Sequence, residues 1–314
     1  MLLLTRYVNF DRKETAMSEI GQSIADIDWG EQWVLERQER HERREGSNAE
    51  FWNKRAPKFG TKRGVSPYAA TFIEKLALEP NDTVFDMGCG NGAIAIPLAK
   101  AGHAVIARDF SIGMLSQLAA QMEAESVTGI DYACMSWEDD WQAHGITDGM
   151  VDVAFASRSI ITANLKDSLT KLSRVARKRA CITISTASSP LVSSGALYSL
   201  GAKQIKSGDM LFAFAILVQM GFNPEVSYIE SHRFDAFEDY DNAFDSMMRM
   251  IEAAERYTST EDVETMKRNL PDWLHEHLVP NENAGRLNSH DEIEGPLRLD
   301  VDFIVRWAFI SWEV

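Results

Sequence analysis

Hydrophobic and polar positions follow two alternating patterns from about residue 66 onward. Short apolar runs predict buried strands at 83–86, 104–107, 151–156, 180–185 and 224–230. Between them, stretches with apolar residues three or four apart predict helices at 67–78, 93–101, 111–123, 164–177 and 208–220. Strands that alternate with helices in this way predict an α/β fold, a parallel sheet wound on both faces by helices.

Residues 230–294 interrupt this alternation. They contain 17 acidic and 6 basic residues, and so hold 11 of the 15 net negative charges of the chain. Helical patterns at 241–256 and 260–277 occupy most of the segment, and an apolar run at 301–312 follows it. We therefore expect an acidic helical insertion before the last strand, placed over one end of the sheet.

The N-terminal region has a different character. Residues 26–46 are dense in Glu and Arg, with Trp29, Trp33 and Leu35 among them, which predicts a solvated helix held by a few apolar residues. Residues 1–16 precede Met17 and are expected to lie outside the fold as an extended or alternative start. The predicted units are a 1–50 N-terminal segment, a 51–230 α/β domain, a 231–294 insertion and a 295–314 last strand.

Composition and charge exclude several classes of protein. Among the 314 residues, 45% are hydrophobic and 25% are charged, which excludes disorder as the main state. No apolar run approaches the roughly 20 residues of a membrane span. The net charge of −15 repels phosphate backbones, so nucleic acid is a disfavoured partner. Three widely spaced cysteines without a CxxC pair suggest neither a disulfide framework nor a zinc site, and they favour a cytoplasmic location.

A glycine-rich segment directly follows the first predicted strand. The chain there is Asp86-Met87-Gly88-Cys89-Gly90-Asn91-Gly92. Glycines after a strand allow a sharp turn and a close approach to a ligand, and the following helix offers free N–H groups. A second acid, Asp109, ends the next strand 21 residues after Gly88, where a carboxylate can accept both hydroxyls of a ribose. These features predict a cofactor that contains a nucleoside.

Two cofactors fit this loop, and the acid before it separates them. The spacing Gly88-x-Gly90-x-x-Ala93 satisfies the dinucleotide pattern, but a diphosphate needs a helix terminus free of carboxylates. S-adenosylmethionine instead carries a sulfonium and an ammonium group, which Asp86 attracts. The apolar groups in Phe110-Ser111-x-x-Met114-Leu115 are expected to cover the adenine. Asp86 therefore favours S-adenosylmethionine over NAD.

Together these motifs resemble those of the class I S-adenosylmethionine-dependent methyltransferases, especially small bacterial ones of the type 11 kind. The resemblance lies in Asp86-x-Gly88-x-Gly90-x-Gly92 and Asp109-Phe-Ser-x-x-Met114-Leu115, and it covers about residues 51–230. It implies a Rossmann-like, doubly wound, mostly parallel seven-stranded sheet whose last strand is antiparallel. It also implies that the glycine loop passes the methionine part and that Asp109 holds the ribose.

Further positions around the cofactor are implied by the same resemblance. After the third strand, either Glu138 or Asp139 is expected beside the adenine amino group, with Trp137 against the ring. Ser157 and Arg158 follow the fourth strand, border the methionine and the acceptor, and replace the more usual His or Asn. The segment Trp52-x-x-Arg55-Ala56-x-x-Phe59 resembles one that closes over the cofactor, with Arg55 pairing with its carboxylate. The expected cofactor-binding residues are Asp86, Gly88, Cys89, Gly90, Asp109, Phe110, Ser111, Met114, Trp137, Glu138, Ser157, Arg158, Trp52, Arg55 and Phe59.

No metal site or catalytic base is assigned from the sequence. Four of the seven histidines fall in the acidic insertion: His232, His275, His277 and His290. On a helix, His275 and His277 would point about 200° apart, so a shared metal ion is not expected. A histidine acting as general base stays open, and Cys89 fits a small filler better than a nucleophile.

The predicted function is a cytoplasmic methyltransferase that moves the sulfonium methyl group of S-adenosylmethionine to a small-molecule acceptor. Because the departing thioether is neutral, the protein mainly has to align the acceptor and exclude water. The 231–294 insertion and the N-terminal helices are expected to form the acceptor pocket and its cover.

Other functions stay open. Basic residues at 54–63 and 166–179 would suit a methyltransferase acting on RNA or protein. A binding protein that holds S-adenosylmethionine without turnover and a nicotinamide-dependent oxidoreductase are two further alternatives. A homodimer also stays open, because the run Arg306–Trp312 suits a buried strand, an oligomer edge or both.

Overall fold

The computed structural model describes residues 24–41, 49–59, 64–186, 193–204, 208–233, 235–255, 257–287, 293–301 and 303–314. The prediction for residues 1–16 lies outside these ranges. The strands described are β1 (Val84–Met87), β2 (Val105–Asp109), β3 (Ile130–Cys134), β4 (Val151–Ser157), β5 (Ala176–Ser185), β6 (Glu225–Arg233), β7 (Ala236–Phe237), β8 (Leu278–Pro280), β9 (Leu297–Leu299) and β10 (Phe303–Glu313). The α-helices described are α1 (Trp29–His41), α2 (Ala49–Arg55), α3 (Pro67–Leu76), α4 (Ala95–Lys100), α5 (Ile112–Ala124), α6 (Leu165–Val175), α7 (Ser194–Ser199), α8 (Asp209–Gln219), α9 (Tyr240–Ala254) and α10 (Thr260–His277). Short 3-10 helices lie at Ile24–Asp26 and Ala56–Phe59.

Seven of these strands form one sheet in the order β3-β2-β1-β4-β5-β10-β6. The five strands from β3 to β5 run parallel, whereas β10 is antiparallel to both of its neighbours. The predicted doubly wound sheet with an antiparallel last strand is confirmed. Since Trp307 of β10 pairs with Ser185 on one side and Ile229 on the other, the Arg306–Trp312 run is an interior strand and not an edge.

Burial explains which strands the sequence pattern predicts. Every residue of β1 is buried, and β4 and β5 are buried along most of their length, so each of these parallel strands contains a run of apolar residues. By contrast, β3 is exposed at four of its five residues because it lies at the edge of the sheet. No apolar run therefore marks it in the sequence, and only the resemblance implied a third strand.

The N-terminal helix α1 is part of the core of the sheet domain. Trp33 is 0% exposed, and its indole N–H donates to the carbonyl oxygen of Thr162 at 2.9 Å. Arg37 lies over the Trp33 ring and forms an ion pair with Asp209 at 3.0 Å. Leu35, which the sequence pattern predicts to be one of the apolar residues that anchor the helix, is 53% exposed. The expectation of a solvated helix therefore holds for only part of its surface.

The predicted insertion contains both expected helices, observed as α9 and α10, and a buried cluster between them. The helical pattern does not predict a small antiparallel sheet, β7-β9-β8, in which β7 and β8 belong to the insertion and β9 lies beyond its predicted end at residue 294. Helix α7, which lies outside the predicted insertion, packs against this segment: the indole N–H of Trp273 on α10 donates to Ser199 Oγ on α7 at 3.0 Å. We call α7, α9, α10 and the small sheet the helical unit. This unit is built from two separate segments of the chain.

The helical unit joins the sheet at the edge formed by the carboxyl ends of the parallel strands. Arg233, the last residue of β6, pairs with Phe303, the first residue of β10. Because β10 is antiparallel to both β5 and β6, these two ends lie at the edge where the parallel strands finish. The glycine loop after β1 and the residues after β2 and β4 lie at the same edge. Among the described residues, no helix combines the length and apolar character that crossing a membrane requires.

Candidate functional site

The glycine loop after β1 has three left-handed residues with different surroundings. Gly88, Gly90 and Gly92 have φ angles of 77°, 56° and 83°. A Cβ on Gly88 would lie 2.2 Å from Ser159 Cβ, and one on Gly92 would lie 2.3 Å from Leu118 Cδ1. A Cβ on Gly90 would meet no described atom within 4 Å. Gly88 and Gly92 are thus required for packing, while Gly90 exposes backbone to open space that a ligand can enter.

Asp109, at the end of β2, ties this loop to the next helix. Its Oδ2 accepts a hydrogen bond from the N–H of Gly90, and its Oδ1 accepts one from the N–H of Ser111, each at 2.8 Å. Burial raises the pKa of Asp109, and the two backbone bonds oppose that rise. Each carboxylate oxygen keeps a second lone pair that can accept from a ligand. The ribose role of Asp109 stays a prediction, and the structure adds a role in holding the loop.

Asp86, inside β1, is the most unfavourably placed polar side chain of the site. It is 1% exposed, and neither carboxylate oxygen has a hydrogen-bond partner among the described residues. Burial, and then the charge of Asp109, raises the pKa of Asp86 well above its usual range. An isolated carboxylate in such a place is costly unless it holds a proton or faces a cation. Asp86 is thus suited to a positively charged ligand.

The segment that carries Trp52, Arg55 and Phe59 lies against the loop, through a residue that sequence reasoning missed. Asn53 Oδ1 accepts hydrogen bonds from Ser111 Oγ at 2.8 Å and from the Gly113 N–H at 2.9 Å. Asn53 caps helix α5 from outside, and a single polar residue within an aromatic and basic segment is the signal that marks it.

The side chains of this segment have distinct positions. Asn91 Nδ2 donates to the carbonyl oxygen of Phe59 at 2.8 Å, which joins the segment to the glycine loop. Trp52 is half-buried, with its ring centroid 6.2 Å from that of Phe59. Arg55 is exposed, with its guanidinium carbon 5.2 Å from the Phe51 ring centroid. Its pairing with the cofactor carboxylate stays a prediction.

Residues expected around the adenine occupy two environments. Phe110 is half-buried and Met114 is buried beside the end of β2. Trp137 is buried in the core, where its indole N–H donates to the Ser159 carbonyl oxygen at 2.9 Å and its ring lies 5.4 Å from that of Trp141. This placement favours packing, and stacking on an adenine stays a prediction.

The two acids proposed for the adenine amino group differ in how they are used. Asp139 Oδ2 accepts from the N–H of Ser136 at 2.8 Å, so one of its oxygens is occupied by the loop. Glu138 is exposed and contacts the Ser136 hydroxyl. Glu138 is therefore the more accessible of the two.

A chain of hydroxyl groups lies at the end of β4, and of its three members the sequence analysis identified only Ser157. The hydroxyl of Tyr68, on α3, lies 2.9 Å from Ser157 Oγ and 2.7 Å from Thr183 Oγ1. Thr183 Oγ1 also accepts from the backbone N–H of Arg158 at 3.0 Å. Burial raises the pKa of Tyr68, so its hydroxyl stays protonated. A tyrosine directly after the Ser66-Pro67 start of a helix was the available signal.

Arg158 has a backbone conformation that is unusual for a side chain of its size. Its φ is 60°, in the left-handed region that favours glycine. The guanidinium carbon lies 4.0 Å from the ring centroid of Tyr68 and 5.6 Å from that of Trp307. Strain of this kind persists only where the surroundings hold it, and it is concentrated at functional sites.

The described histidines of the insertion contact neighbouring side chains, and the thiol of Cys89 is buried. The His275 ring stacks on Tyr240, and His277 Nδ1 lies 2.8 Å from Asp300 Oδ1. The side chain of His232 and all of His290 lie outside the described residues. Within the described part of the chain, no three metal-ligating side chains gather in one place. Burial raises the pKa of Cys89 well above its usual range, which keeps the thiol protonated.

A family of proteins described as a methyltransferase domain matches residues 84–179, from the start of β1 into β5. The match covers less than a third of the chain. The matched residues contain the glycine loop, both aspartates and the Ser157–Arg158 pair. Helix α1, the N-terminal segment 49–59 and the helical unit at the sheet edge lie outside the matched residues.

Two curated relatives are similar to parts of the chain. An uncharacterized protein of Haemophilus influenzae is 29% identical over 182 residues, 57% of this chain and 66% of that protein. The ubiquinone biosynthesis O-methyltransferase of Hydrogenovibrio crunogenus is 31% identical over 96 residues, 31% of this chain and 39% of that enzyme. The chain thus spans less than two thirds of the length of either relative.

Two solved structures are also similar to the chain. The YcgJ protein of Bacillus subtilis has a TM-score of 0.47 and 13% identity, over 78% of this chain and 97% of that chain. Phosphoethanolamine N-methyltransferase 2 of Haemonchus contortus was solved with phosphomonomethylethanolamine and S-adenosylhomocysteine. It has a TM-score of 0.45 and 13% identity, over 93% of this chain and 60% of that chain.

Proposed function

We propose that this protein transfers a methyl group from S-adenosylmethionine to a small-molecule acceptor. The observation that carries the proposal is Asp86, a buried carboxylate that has no hydrogen-bond partner among the described residues and directly precedes the glycine loop, within the residues that match the methyltransferase family. A diphosphate beside Asp86 would be repelled, whereas the sulfonium and ammonium groups of S-adenosylmethionine would compensate its charge.

The residues present fit this cofactor in three places. Asp86 would face its positive charge, the backbone at Gly90 would lie against it in open space, and Asp109 would accept a hydrogen bond from the ribose. When bound, S-adenosylmethionine supplies an activated methyl group with a neutral leaving group. The protein then has to hold the acceptor in line and exclude water, and it needs a base only if the acceptor carries a proton into the attack.

The position of the helical unit supports a small-molecule acceptor. Its two attachment points, at Arg233 and Phe303, lie at the sheet edge that also carries the glycine loop and Ser157. A unit built on this edge, and not on the sheet itself, can be shaped for one acceptor while the cofactor site is kept. The similarity to an O-methyltransferase of ubiquinone biosynthesis supports the class of reaction and leaves the acceptor of this chain to be identified.

Titration calorimetry tests the cofactor assignment. We expect micromolar binding of S-adenosylhomocysteine and none of NAD. Asp109→Ala should weaken S-adenosylhomocysteine binding at least tenfold, since a hydrogen bond to a charged group contributes about 1.5–3 kcal/mol. Asp272→Ala, at an exposed carboxylate of α10, is the matched control and should bind like wild type. Binding of NAD alone would refute the proposed function, and equal affinity of Asp109→Ala would refute the ribose assignment.

Turnover separates an enzyme from a protein that only binds the cofactor. Labelled S-adenosylmethionine should transfer its methyl group to a component of a small-molecule metabolite extract. Transfer only to macromolecules of the same cells would instead support a methyltransferase acting on RNA or protein. Absence of transfer to either fraction, with the cofactor bound, would support the binding protein.

A further inference from the structure

The hydroxyl chain at the end of β4 has a direction that the buried groups impose. Thr183 is fully buried, and its Oγ1 already accepts from the Arg158 N–H. Its own proton has one acceptor among the described residues, the Tyr68 hydroxyl at 2.7 Å. Since a buried donor without a partner is costly, Thr183 donates to Tyr68, and Tyr68 then donates to Ser157 Oγ. The proton of Ser157 is left without an acceptor among the residues that the structure describes.

Ser157 therefore presents a hydrogen-bond donor to whatever lies beyond the end of β4. Its side chain is half-buried, and Tyr68 is its hydrogen-bond partner among the described residues. A hydroxyl that already accepts from a tyrosine is a better donor, because hydrogen bonds in a chain polarise one another. The matching ligand atom is an oxygen with free lone pairs.

Arg158 brings a positive charge to the same place. Its backbone N–H is held by Thr183, and its guanidinium lies over the Tyr68 and Trp307 rings. No carboxylate of the described residues forms an ion pair with it, although the chain carries a net charge of −15. Arg158 is an exposed residue, and stacking on rings leaves the in-plane N–H donors of a guanidinium available to a ligand.

The charges of Asp86 and Arg158, which both act on Tyr68, do not pair with each other. Both Asp86 and Arg158 act on the hydroxyl of Tyr68, yet Asp86 accepts no hydrogen bond from Arg158 or from any other described group. Asp86 belongs to the side of the site that faces the sulfonium and ammonium of the cofactor. Arg158 is therefore left for a second, negatively charged group.

We infer that Arg158 and Ser157 recognise a negatively charged oxygen group, a carboxylate or a phosphate, on the methyl acceptor. This rests on the proposed function and names its substrate class. The acidic charge of the 231–294 insertion would by itself favour a cationic or neutral acceptor. The charge of the insertion acts at a distance and is screened over about 10 Å at 0.1 M salt, whereas Arg158 acts at contact.

The test measures binding of three probes to the complex with S-adenosylhomocysteine. Benzoate and phenyl phosphate carry the two candidate anions, and benzamide is a neutral match for benzoate. In calorimetry at saturating S-adenosylhomocysteine, we expect at least one anion to bind tenfold or more tightly than benzamide. The stronger of the two anions identifies the group. Arg158→Gln should remove at least tenfold of that affinity, Ser157→Ala should remove several-fold, and Arg158→Lys should restore part of it.

Arg55→Gln is the matched control, because Arg55 is the exposed arginine proposed for the cofactor carboxylate. This variant should weaken the binding of S-adenosylhomocysteine and leave the affinity of the saturated complex for the anion unchanged. Arg158→Gln should do the reverse, and its retained S-adenosylhomocysteine binding shows that it is folded.

Three results would overturn the inference. They are equal binding of anions and benzamide, no anion binding to the wild-type complex, or loss of S-adenosylhomocysteine affinity in Arg158→Gln with unchanged affinity for methylthioadenosine. The last would assign Arg158 to the cofactor carboxylate. Failure of wild type to bind S-adenosylhomocysteine would refute the proposed function itself.

Discussion

Asp86 shows how a residue can be unfavourable for the fold and suited to the proposed cofactor site. Its burial and its neighbour Asp109 raise its pKa, so the ionised form costs folding free energy in the ligand-free protein. The carboxyl is also the group that a sulfonium and an ammonium require. The sequence identified Asp86 by its place before the glycines, but its lack of a partner depends on which side chains pack around it.

The stability of an Asp86→Asn variant should depend on pH relative to wild type. A carboxyl whose pKa is raised on folding contributes stability below its unfolded pKa of about 3.9, and this is lost as the pH rises through its folded pKa. Without ligand, the stability of Asp86→Asn relative to wild type should therefore be greater at pH 8 than at pH 4. Urea unfolding at both pH values measures this, and a difference independent of pH would contradict this account.

The same variant should lose its ligand. Asp86→Asn should bind S-adenosylmethionine at least tenfold more weakly at pH 8, because the amide cannot compensate the cofactor's positive charge. In wild type, affinity should rise with pH as Asp86 ionises. Calorimetry at a series of pH values measures both, and a variant with wild-type affinity and pH dependence would remove Asp86 from the site.

Among the elements, the glycine loop is the part of the site that local sequence predicts best. Its spacing, the acid before it and the acid after β2 lie within 24 residues, 86–109, and all contact or border one another in the structure. The hydroxyl chain is the opposite case. Tyr68 and Ser157 are 89 residues apart, and Tyr68 and Thr183 are 115 residues apart, so no local spacing connects them.

Alanine substitutions in the loop should separate packing from ligand binding. Gly90→Ala and Gly102→Ala both place a side chain at positive φ in open space, which should cost about 1–2 kcal/mol of stability each. Gly88→Ala adds a clash with Ser159, and its total cost should exceed about 3 kcal/mol. Urea unfolding measures these differences.

Binding by the same variants provides the second measurement. Gly90→Ala should weaken the binding of S-adenosylhomocysteine at least tenfold, since its Cβ enters the space proposed for the ligand. Gly102→Ala should bind S-adenosylhomocysteine like wild type. Wild-type affinity in Gly90→Ala would mean that the cofactor does not approach the loop at Gly90.

On the scale of the whole molecule, the structure joins segments that the sequence keeps apart. Helix α1 completes one core of the sheet through Trp33, although its charges indicated a mostly solvated helix. Helix α7 lies between β5 and β6 in the chain but packs with α9 and α10. The division at residues 50, 230 and 294 stays a proposal, and the buried clusters provide contacts across it.

Removal of the Trp33 side chain should show that α1 belongs to the core. Trp33→Ala should lower the free energy of unfolding by about 3–5 kcal/mol, as large core truncations do. Leu35→Ala, at an exposed position of the same helix, should change it by about 0.5 kcal/mol or less. Urea unfolding followed by circular dichroism is the measurement. Equal effects of the two would show that α1 contributes no specific packing.

The sequence by itself determined the type and order of most elements, including the helices α9 and α10, because hydrophobic periodicity is a property of neighbouring residues. It also determined the glycine loop and its two aspartates, since backbone conformation and strand ends restrict those positions locally. Only the tertiary structure decided that, among the described residues, Asp86 has no hydrogen-bond partner and Arg158 lies over two rings without an ion pair. It also decided that Tyr68 joins Thr183 to Ser157. These facts depend on which distant segments meet, and that choice is made by packing of the whole chain.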